Sequence, residues 1–321
     1  MPYKRISDGK SRNRVIAITV LFLIAVAAQA QSPTFRADVN LINVTFSARN
    51  GQGSAVSDLK QDEVQVFEDD VPQKIRFFDN STLPLTVGLI VDVSNSQEKF
   101  FRDHRRDLEK FLKDVMAPQD QAFLVCFGNH VRLVSDLTSS PSDIIESYAK
   151  FERGNRDFPE LGPDEQRSEG TALFDAIYYA ATEKLANADR GRRALSVFSD
   201  GEDNSSAHDV VDAIDAAQAS DILVYCVRYT MRKGTPTSRN KYGTREMKRM
   251  AQDTGAVDFD AVNGANLDNT FKQIGGELRT LYTAAYHASN RRRDGTFRTI
   301  AVKVARPDVV VRAKAGYYAK P

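Results

Sequence analysis

Five oxygen-bearing residues of this 321-residue chain have the types and the spacing that could hold a small hard cation. They are Asp92, Ser94, Ser96, Thr171 and Asp200. The first three alternate along a segment that we expect to be extended, where alternate side chains point the same way. Mg²⁺ prefers carboxylate and hydroxyl oxygens and often keeps water ligands, and the same donors suit Mn²⁺ or Ca²⁺. The pattern predicts a divalent-cation site with an open position.

The segments around these donors predict the fold that brings them together. Between residues 83 and 281, apolar strand-like runs such as Val87–Val91 and Ala194–Phe198 alternate with amphipathic helical stretches. Such alternation is typical of an α/β fold with a doubly wound, mostly parallel sheet. These sheets bind ligands beyond the carboxyl ends of their strands. Asp92 and Asp200 follow these two runs, so we expect them at strand ends, outside the core.

A nucleotide is the usual ligand of such a sheet, but the first loop argues against one. A phosphate-binding loop needs glycines through which the backbone can approach the phosphates. The segment Asp92–Gln97 contains no glycine. The sequence therefore favours a metal over a nucleotide.

Three motifs in this region resemble those of von Willebrand factor A (VWFA) domains. Asp92-Val-Ser-Asn-Ser resembles the family's DxSxS element, Gly170-Thr-Ala-Leu-Phe-Asp resembles GTxLxD, and Phe198-Ser-Asp-Gly resembles the strand-ending [ST]DG. The resemblance implies a metal-ion-dependent adhesion site (MIDAS). In that site Ser94, Ser96 and Thr171 reach the ion, and Asp92 and Asp200 act directly or through water. The departures are Asn95, where glycine is usual, and Gln97, where methionine is common; neither position supplies a ligand.

The flanks of this domain also resemble a family, the exported bacterial group called VWFA-related proteins. Residues 69–78 resemble that group's N-terminal hairpin, with Asp70 in place of a usual glycine, and residues 293–304 and 316–319 resemble its C-terminal end. Residues 31–82 and 282–321 each have too few strands to be stable alone. We expect them to form one β-sandwich into which the domain 83–281 is inserted, with Val39–Phe46 or Val64–Phe67 pairing with Phe297–Val304 or Val309–Val311.

Residues 1–30 have the three-part layout of a secretory signal peptide. A basic stretch precedes the apolar run Val15–Ala28, and Ala28-Gln-Ala30 offers a cleavage site. The run is shorter than the roughly 20 residues that span a bilayer, although a retained anchor is the alternative. We expect cleavage before Gln31, only transient contact with the membrane, and a periplasmic or extracellular protein. Cleavage would remove the five basic residues and one acidic residue of segment 1–30 and leave a net charge near −3. A protein with so little net charge has no general attraction for nucleic acid.

The two cysteines, Cys126 and Cys226, are expected to remain unpaired. The VWFA strand order puts them three strand positions apart, roughly 14 Å, whereas a disulfide needs Cα atoms within about 7 Å. Neither lies in a zinc-binding pattern.

The function that these observations favour is an exported protein-binding or adhesion module, not an enzyme. A partner's Asp or Glu carboxylate would complete the metal shell, and the basic segment 228–249, interpreted as a loop near the metal, indicates an acidic partner protein. GxSxG and HExxH motifs are absent and the four histidines share no spacing, so a metal-dependent hydrolase is a weak alternative. An accessory or scaffold subunit that assists assembly of an envelope complex is the other alternative.

Overall fold

The computed structural model describes residues 41–163, 169–188, 191–230, 237–261 and 267–320. The strands are β1 (Leu41–Asn50), β2 (Val64–Glu68), β3 (Val71–Gln73), β4 (Ile75–Asp79), β5 (Leu85–Asp92), β6 (Gln121–Phe127), β7 (Val131–Thr138), β8 (Arg192–Ser199), β9 (Ile222–Arg228), β10 (Asp258–Asp260), β11 (Tyr282–His287), β12 (Phe297–Val304), β13 (Val309–Ala313) and β14 (Gly316–Tyr318). The helices are α1 (Phe101–Val115), α2 (Pro141–Glu152), α3 (Leu173–Tyr179), α4 (Val210–Ala219), α5 (Ser238–Thr254) and α6 (Leu267–Arg279). The expected signal peptide, residues 1–30, lies outside the described residues.

The continuous apolar runs form a six-stranded sheet in the order β10-β9-β8-β5-β6-β7. Every neighbouring pair is parallel except the β6–β7 hairpin. All eight residues of β5 are buried, as expected for a central strand covered on both faces. Apolar side chains of α1, α2 and α6 cover one face, and those of α3, α4 and α5 cover the other. The predicted doubly wound α/β fold is confirmed.

The order of the strands determines where a ligand site can form. The chain runs from β5 outward in one direction through β6 and in the other through β8 and β9. The two central strands therefore end side by side where the direction reverses, which is the usual ligand position in such folds. The same order puts β8 and β5 between Cys226 on β9 and Cys126 on β6, and both cysteines are free and buried.

The basic segment after β9 is not a loop throughout, so that interpretation was wrong. From Ser238 to Thr254 it forms the helix α5, with Thr237 as its N-cap and Gly255 ending it in the left-handed conformation. Residues 231–236 lie outside the described part. Gly243, Met247 and Met250 are buried on one side of α5 at helical spacing. Basic residues between them hide this periodicity in the sequence.

The two flanks form the expected β-sandwich. One sheet has the order β13-β1-β11-β4 and the other β14-β12-β2-β3. The predicted long-range pairing is confirmed for Val64–Phe67, which pairs with Ala301–Val304 of β12. For the other segment it is wrong, because residues 41–46 pair with β11, and Val309–Val311 of β13 pairs with Ala48–Asn50. The hairpin differs in one respect: β2 pairs with β3, whereas β4 crosses to the other sheet. Asp69 and Asp70 both have positive φ, 48° and 62°, so the turn tolerates aspartate where glycine is usual.

Buried polar contacts join the sandwich to the α/β domain. Glu277 near the end of α6 accepts hydrogen bonds from Arg49 of β1 and Arg312 of β13, both at 2.5 Å. The Tyr225 hydroxyl donates to the other oxygen of the same carboxylate at 3.1 Å. Among the described helices none is both long and apolar enough to cross a membrane.

Candidate metal site

Asp92, the last residue of β5, lies beside the end of β8. Its carboxylate accepts a hydrogen bond from the Ser199 hydroxyl at 2.6 Å and from the backbone N–H of Ser94 at 3.0 Å. Asp92 is completely buried, and Asp200 is buried almost as fully. The expectation that both aspartates sit outside the core was therefore wrong. The loop that follows β5 closes over the carboxylates, since Ser96 and Gln97 both donate to Asp200.

The backbone of the first loop is extended only as far as Ser94, and residues Asn95–Phe100 form a 3₁₀ helix. The expected extended segment was thus wrong from Asn95 onward. The tight turn nevertheless brings the hydroxyls of Ser94 and Ser96 to 3.2 Å. Ser96 then donates to Oδ2 of Asp200 at 3.0 Å. Ser94 is the N-cap of the 3₁₀ helix but makes no side-chain capping bond, so capping does not explain its hydroxyl.

Gln97 contributes to the site in a way that the sequence did not indicate. The residue is completely buried, and its side-chain amide donates to Oδ2 of Asp200 at 2.8 Å. The same nitrogen lies 3.5 Å from the carbonyl oxygen of Tyr229. Its own carbonyl oxygen, Oε1, has no hydrogen-bond partner among the described residues. Gln97 is therefore a positioning residue for Asp200. Its buried Oε1 lowers the stability of the fold, because a buried acceptor without a partner loses its hydrogen bonds to water.

Thr171 is buried just before α3, and no direct hydrogen bond joins its hydroxyl to the other four donors. Its backbone is held by the loop after Asp200: Thr171 N–H donates to the side chain of Asn204 at 2.8 Å, and Asn204 N–H donates back at 3.1 Å. Gly170 precedes it with φ of 123°, and a Cβ there would lie 2.6 Å from Cβ of Ser205. Only glycine fits this approach of the two loops.

The loop from Asp203 to His208 is also tied to α3. Oδ2 of Asp203 accepts from the backbone N–H of Phe174 at 3.1 Å, and Asp175 accepts from the backbone N–H and Nδ1 of His208 at 3.0 and 2.7 Å. The imidazole stacks on Tyr178 with ring centroids 3.7 Å apart. His208 thus has a structural role. The sequence signal for this network is the polar run after Asp200.

The helix α5 packs directly against the same loop. A Cβ on Gly201 would lie 2.4 Å from the carbonyl oxygen of Gly243, and a Cβ on Gly243 would lie 2.6 Å from that of Asp200. Asn240, in the first turn of α5, donates to Glu202 at 3.0 Å. Close packing of the two glycine backbones therefore places the basic helix next to Asp200.

The electrostatics of the donor set favour a bound cation. Burial, with the nearby Asp200 as a second cause, raises the pKa of Asp92 to about 7 from its usual value near 4. Burial and Asp200 also raise the pKa of Glu202. Two buried carboxylates with mainly hydroxyl and amide neighbours are costly without positive charge. The described residues contain no cluster of three or more His, Cys, Asp or Glu side chains suited to a metal. The candidate donor set is of another kind, with two carboxylates and three hydroxyls. That set fits a hard divalent ion.

The sequence profile of the von Willebrand factor type A domain matches residues 87–273, more than half of the chain. The chain belongs to the von Willebrand factor type A domain family. The matched region begins within β5, ends within α6 and includes all five candidate donors. Members of this family are generally interaction modules, and the resemblance drawn from the three sequence motifs is confirmed.

Solved structures similar to this chain come from bacteria and from a mussel. BatB from Bacteroides thetaiotaomicron is 18% identical over 59% of this chain and 97% of its own, with a TM-score of 0.45. A von Willebrand factor type A protein from Catenulispora acidiphila is 10% identical over 88% and 75%, with a TM-score of 0.47. Proximal thread matrix protein 1 from the mussel byssus, with a zinc-occupied MIDAS motif, is 12% identical over 66% and 50%, with a TM-score of 0.46. No curated protein sequence is significantly similar to this chain.

Proposed function

We propose that this protein is an exported, metal-ion-dependent binding module that recognises a carboxylate of a partner protein. Asp92, Ser94, Ser96, Thr171 and Asp200 would hold a divalent cation, Mg²⁺ by the preference of the donor set or Mn²⁺ or Ca²⁺ with the same oxygens. When bound, the ion supplies an electrophilic position that accepts a carboxylate oxygen. The protein's own residues keep that position open and oriented.

One observation carries this proposal: the hydrogen-bonded chain from Ser94 through Ser96 to Asp200. Its two links of 3.2 and 3.0 Å bring together oxygens from the loops after β5 and β8. Asp92 lies at the base of the same cluster, bonded to Ser199 and Ser94. Ser96 is exposed while Asp92 is buried, so the donor set opens toward solvent on one side. A partner's side chain can approach from that side.

The charge of α5 supports an acidic partner. Arg239, Lys241, Arg245, Lys248 and Arg249 are all exposed on this helix. Arg245 and Arg249 share the buried Glu246, at 2.6 and 3.8 Å, while Asn240 links the first turn to the loop that holds Asp200. Positive charge beside a metal site speeds the encounter with an acidic surface, with a smaller effect on the final affinity.

Export to the periplasm or the outside of the cell is the other part of the proposal, and it rests on residues 1–30. The basic stretch, the short apolar run and the Ala28-Gln-Ala30 site support a cleaved signal peptide. The intact mass of protein recovered from the cell envelope tests this. A mass beginning at Gln31 is expected, and a chain that retains Val15–Ala28 contradicts it.

Capture of a partner from envelope extract tests the binding function. Immobilised wild-type protein in Mg²⁺ should retain a partner that EDTA releases, and Asp92→Ala and Asp200→Ala should retain none in either condition. Asp62→Ala, which removes an exposed aspartate of the sandwich, is the matched control and should behave as the wild type. Circular dichroism of each variant verifies folding. Equal retention by all proteins with and without EDTA would leave an ordinary interface and refute the metal-dependent function.

A further inference from the structure

A cavity of about 300 Å³ lies at the opposite end of the central sheet from the candidate metal site. The first residues of β8 bound the cavity on one side. The sandwich sheet that contains β1, β4 and β11 bounds it on the other. The candidate metal site lies at the other end of β8, roughly 23 Å away along an eight-residue strand. Cavities of this size at the boundary of two domains are typical small-molecule sites.

Arg192, which lines this cavity, carries a buried charge, and among the described residues no carboxylate contacts it. The residue is 4% exposed. Its guanidinium donates to the Thr283 hydroxyl at 3.0 Å and to the backbone carbonyls of Leu281 and Ser81 at 2.5 and 3.3 Å. All three acceptors are neutral, and Nε has no partner in the part of the chain that the structure describes. Burial lowers the pKa of Arg192, and Asp79, which is not in contact, only partly opposes this.

Arg193 lines the cavity beside it and is also held only by neutral groups within the described residues. Its guanidinium donates to the carbonyl oxygens of Ser220 at 3.4 Å and Ala188 at 3.2 Å, and its buried Nε has no partner. The one carboxylate in the described lining belongs to Asp221, which Lys314 binds at 2.5 Å. The lining therefore has an excess of positive charge. An uncompensated buried cation is costly, and an anion removes that cost.

Two exposed apolar side chains also line the cavity. Phe77 of β4 is 53% exposed and Leu83 in the following segment is 36% exposed, and both line the cavity. They are two of the few large apolar side chains that the described surface exposes. A ligand with an apolar body and a charged end would contact these side chains and the two arginines at once.

We propose that this cavity binds a small organic anion, with its carboxylate or phosphate against Arg192 and Arg193 and its apolar body against Phe77 and Leu83. Guanidinium groups recognise both oxyanions through charge-assisted hydrogen bonds. The site is separate from the candidate metal site and does not depend on the proposed function. Its location between the two domains means that a bound ligand would also join them.

The test is a titration followed by NMR, with benzoate and phenyl phosphate as probes and benzamide as a neutral analogue. In the wild-type protein, we expect saturable shifts of the Nε–H resonances of Arg192 and Arg193 and of the Leu83 methyl groups at millimolar benzoate or phenyl phosphate. Saturation with benzoate alone indicates a carboxylate ligand, and with phenyl phosphate alone a phosphate ester. The shifts should persist in EDTA, which distinguishes this site from the metal-dependent one.

Variants decide whether the arginines bind the anion. Arg193→Gln should weaken binding at least about tenfold, because a hydrogen bond to a charged group is lost. Leu83→Ala should weaken it less, and Arg245→Gln on α5 should have no effect. If Arg193→Gln misfolds, Arg192→Lys, which keeps the charge but loses the planar donor, provides the same test. Three results would each overturn the proposal: equal shifts with benzamide, absence of saturation with both anions, or unchanged binding in the arginine variants. Arg192 would then be only a link between β8 and β11.

Discussion

The side-chain amide of Gln97 donates to Oδ2 of Asp200 at 2.8 Å, and the same oxygen accepts from the Ser96 hydroxyl at 3.0 Å. One carboxylate oxygen of the candidate site is thus held by two residues of the loop after β5. A second donor to a metal-binding carboxylate fixes its orientation, and removal of such a partner commonly lowers metal affinity about 10–100-fold.

Gln97→Met therefore tests the positioning role. We expect about tenfold weaker Mg²⁺ binding by calorimetry. The free energy of unfolding in EDTA should be unchanged or higher, because the substitution also removes the buried Oε1 that lacks a partner. Gln65→Met on the exposed side of β2 is the matched control and should change neither quantity. Wild-type metal affinity in the Gln97 variant would show that the hydrogen bond does not position Asp200.

Asp92→Asn should change stability in opposite directions with and without metal. Asp92 is completely buried near Asp200, so in EDTA the neutral amide should raise the free energy of unfolding by about 1–3 kcal/mol. With Mg²⁺ in hundredfold excess over its dissociation constant, the wild type should gain about 2.7 kcal/mol and the variant little.

Urea denaturation of both proteins in each condition measures this difference. Asp62→Asn is the control for the loss of one negative charge at an exposed position. A variant that is less stable than the wild type in EDTA would indicate that Asp92 is stabilised by its neighbours and does not need a cation.

Two helical glycines allow a matched test of how α5 is packed against the site. A Cβ on Gly243 would lie 2.6 Å from the carbonyl oxygen of Asp200, whereas a Cβ on Gly276 of α6 meets nothing within 4 Å. Gly243→Ala should therefore cost about 1–3 kcal/mol of stability through overpacking and weaken metal binding. Gly276→Ala should add about 0.5–1 kcal/mol, because alanine is the better helix former. Thermal unfolding and Mg²⁺ titration measure both. A Gly243 variant as stable as the Gly276 variant would mean that α5 can shift away from the loop at no cost.

The parts of the site that the sequence predicted are those that follow from strand order. Apolar runs identified β5 and β8, and the carboxyl ends of neighbouring parallel strands must lie together, so Asp92 and Asp200 could be paired without coordinates. Gln97 and Asn204 could not be assigned in this way, because an amide in a polar loop has no periodicity that shows what it contacts. The turn at Asn95 was missed for a related reason: the DxSxS pattern is compatible with an extended and with a 3₁₀ backbone.

The sequence also did not predict how deeply Asp92 is buried. Asp92 is the last residue of its strand, a position that is often exposed to solvent. It is buried here because the loops after β5 and β8 pack around it. The helix α5 was misread because its composition is dominated by exposed cations, which obscure the apolar spacing of Gly243, Met247 and Met250. By contrast, the sandwich was predictable from a simple energetic argument, since neither flank has enough strands to bury a face alone.

The exposed cations of α5 lead to the last prediction, which concerns the rate of partner binding. Lys241 and Lys248 are seven residues apart on one side of the helix, and both are exposed. If α5 attracts an acidic partner toward the metal, Lys241→Glu/Lys248→Glu should slow association about tenfold and flatten its dependence on salt, with little change in dissociation. The partner recovered in Mg²⁺ from envelope extract is the ligand for this surface-binding measurement.

The double variant Lys74→Glu/Lys303→Glu, at two exposed positions of the sandwich, makes the same change in net charge and is the control. An equal effect of the two double variants would attribute the attraction to overall charge, and an unchanged rate in the α5 variant would remove the helix from the binding surface while leaving the metal site untouched.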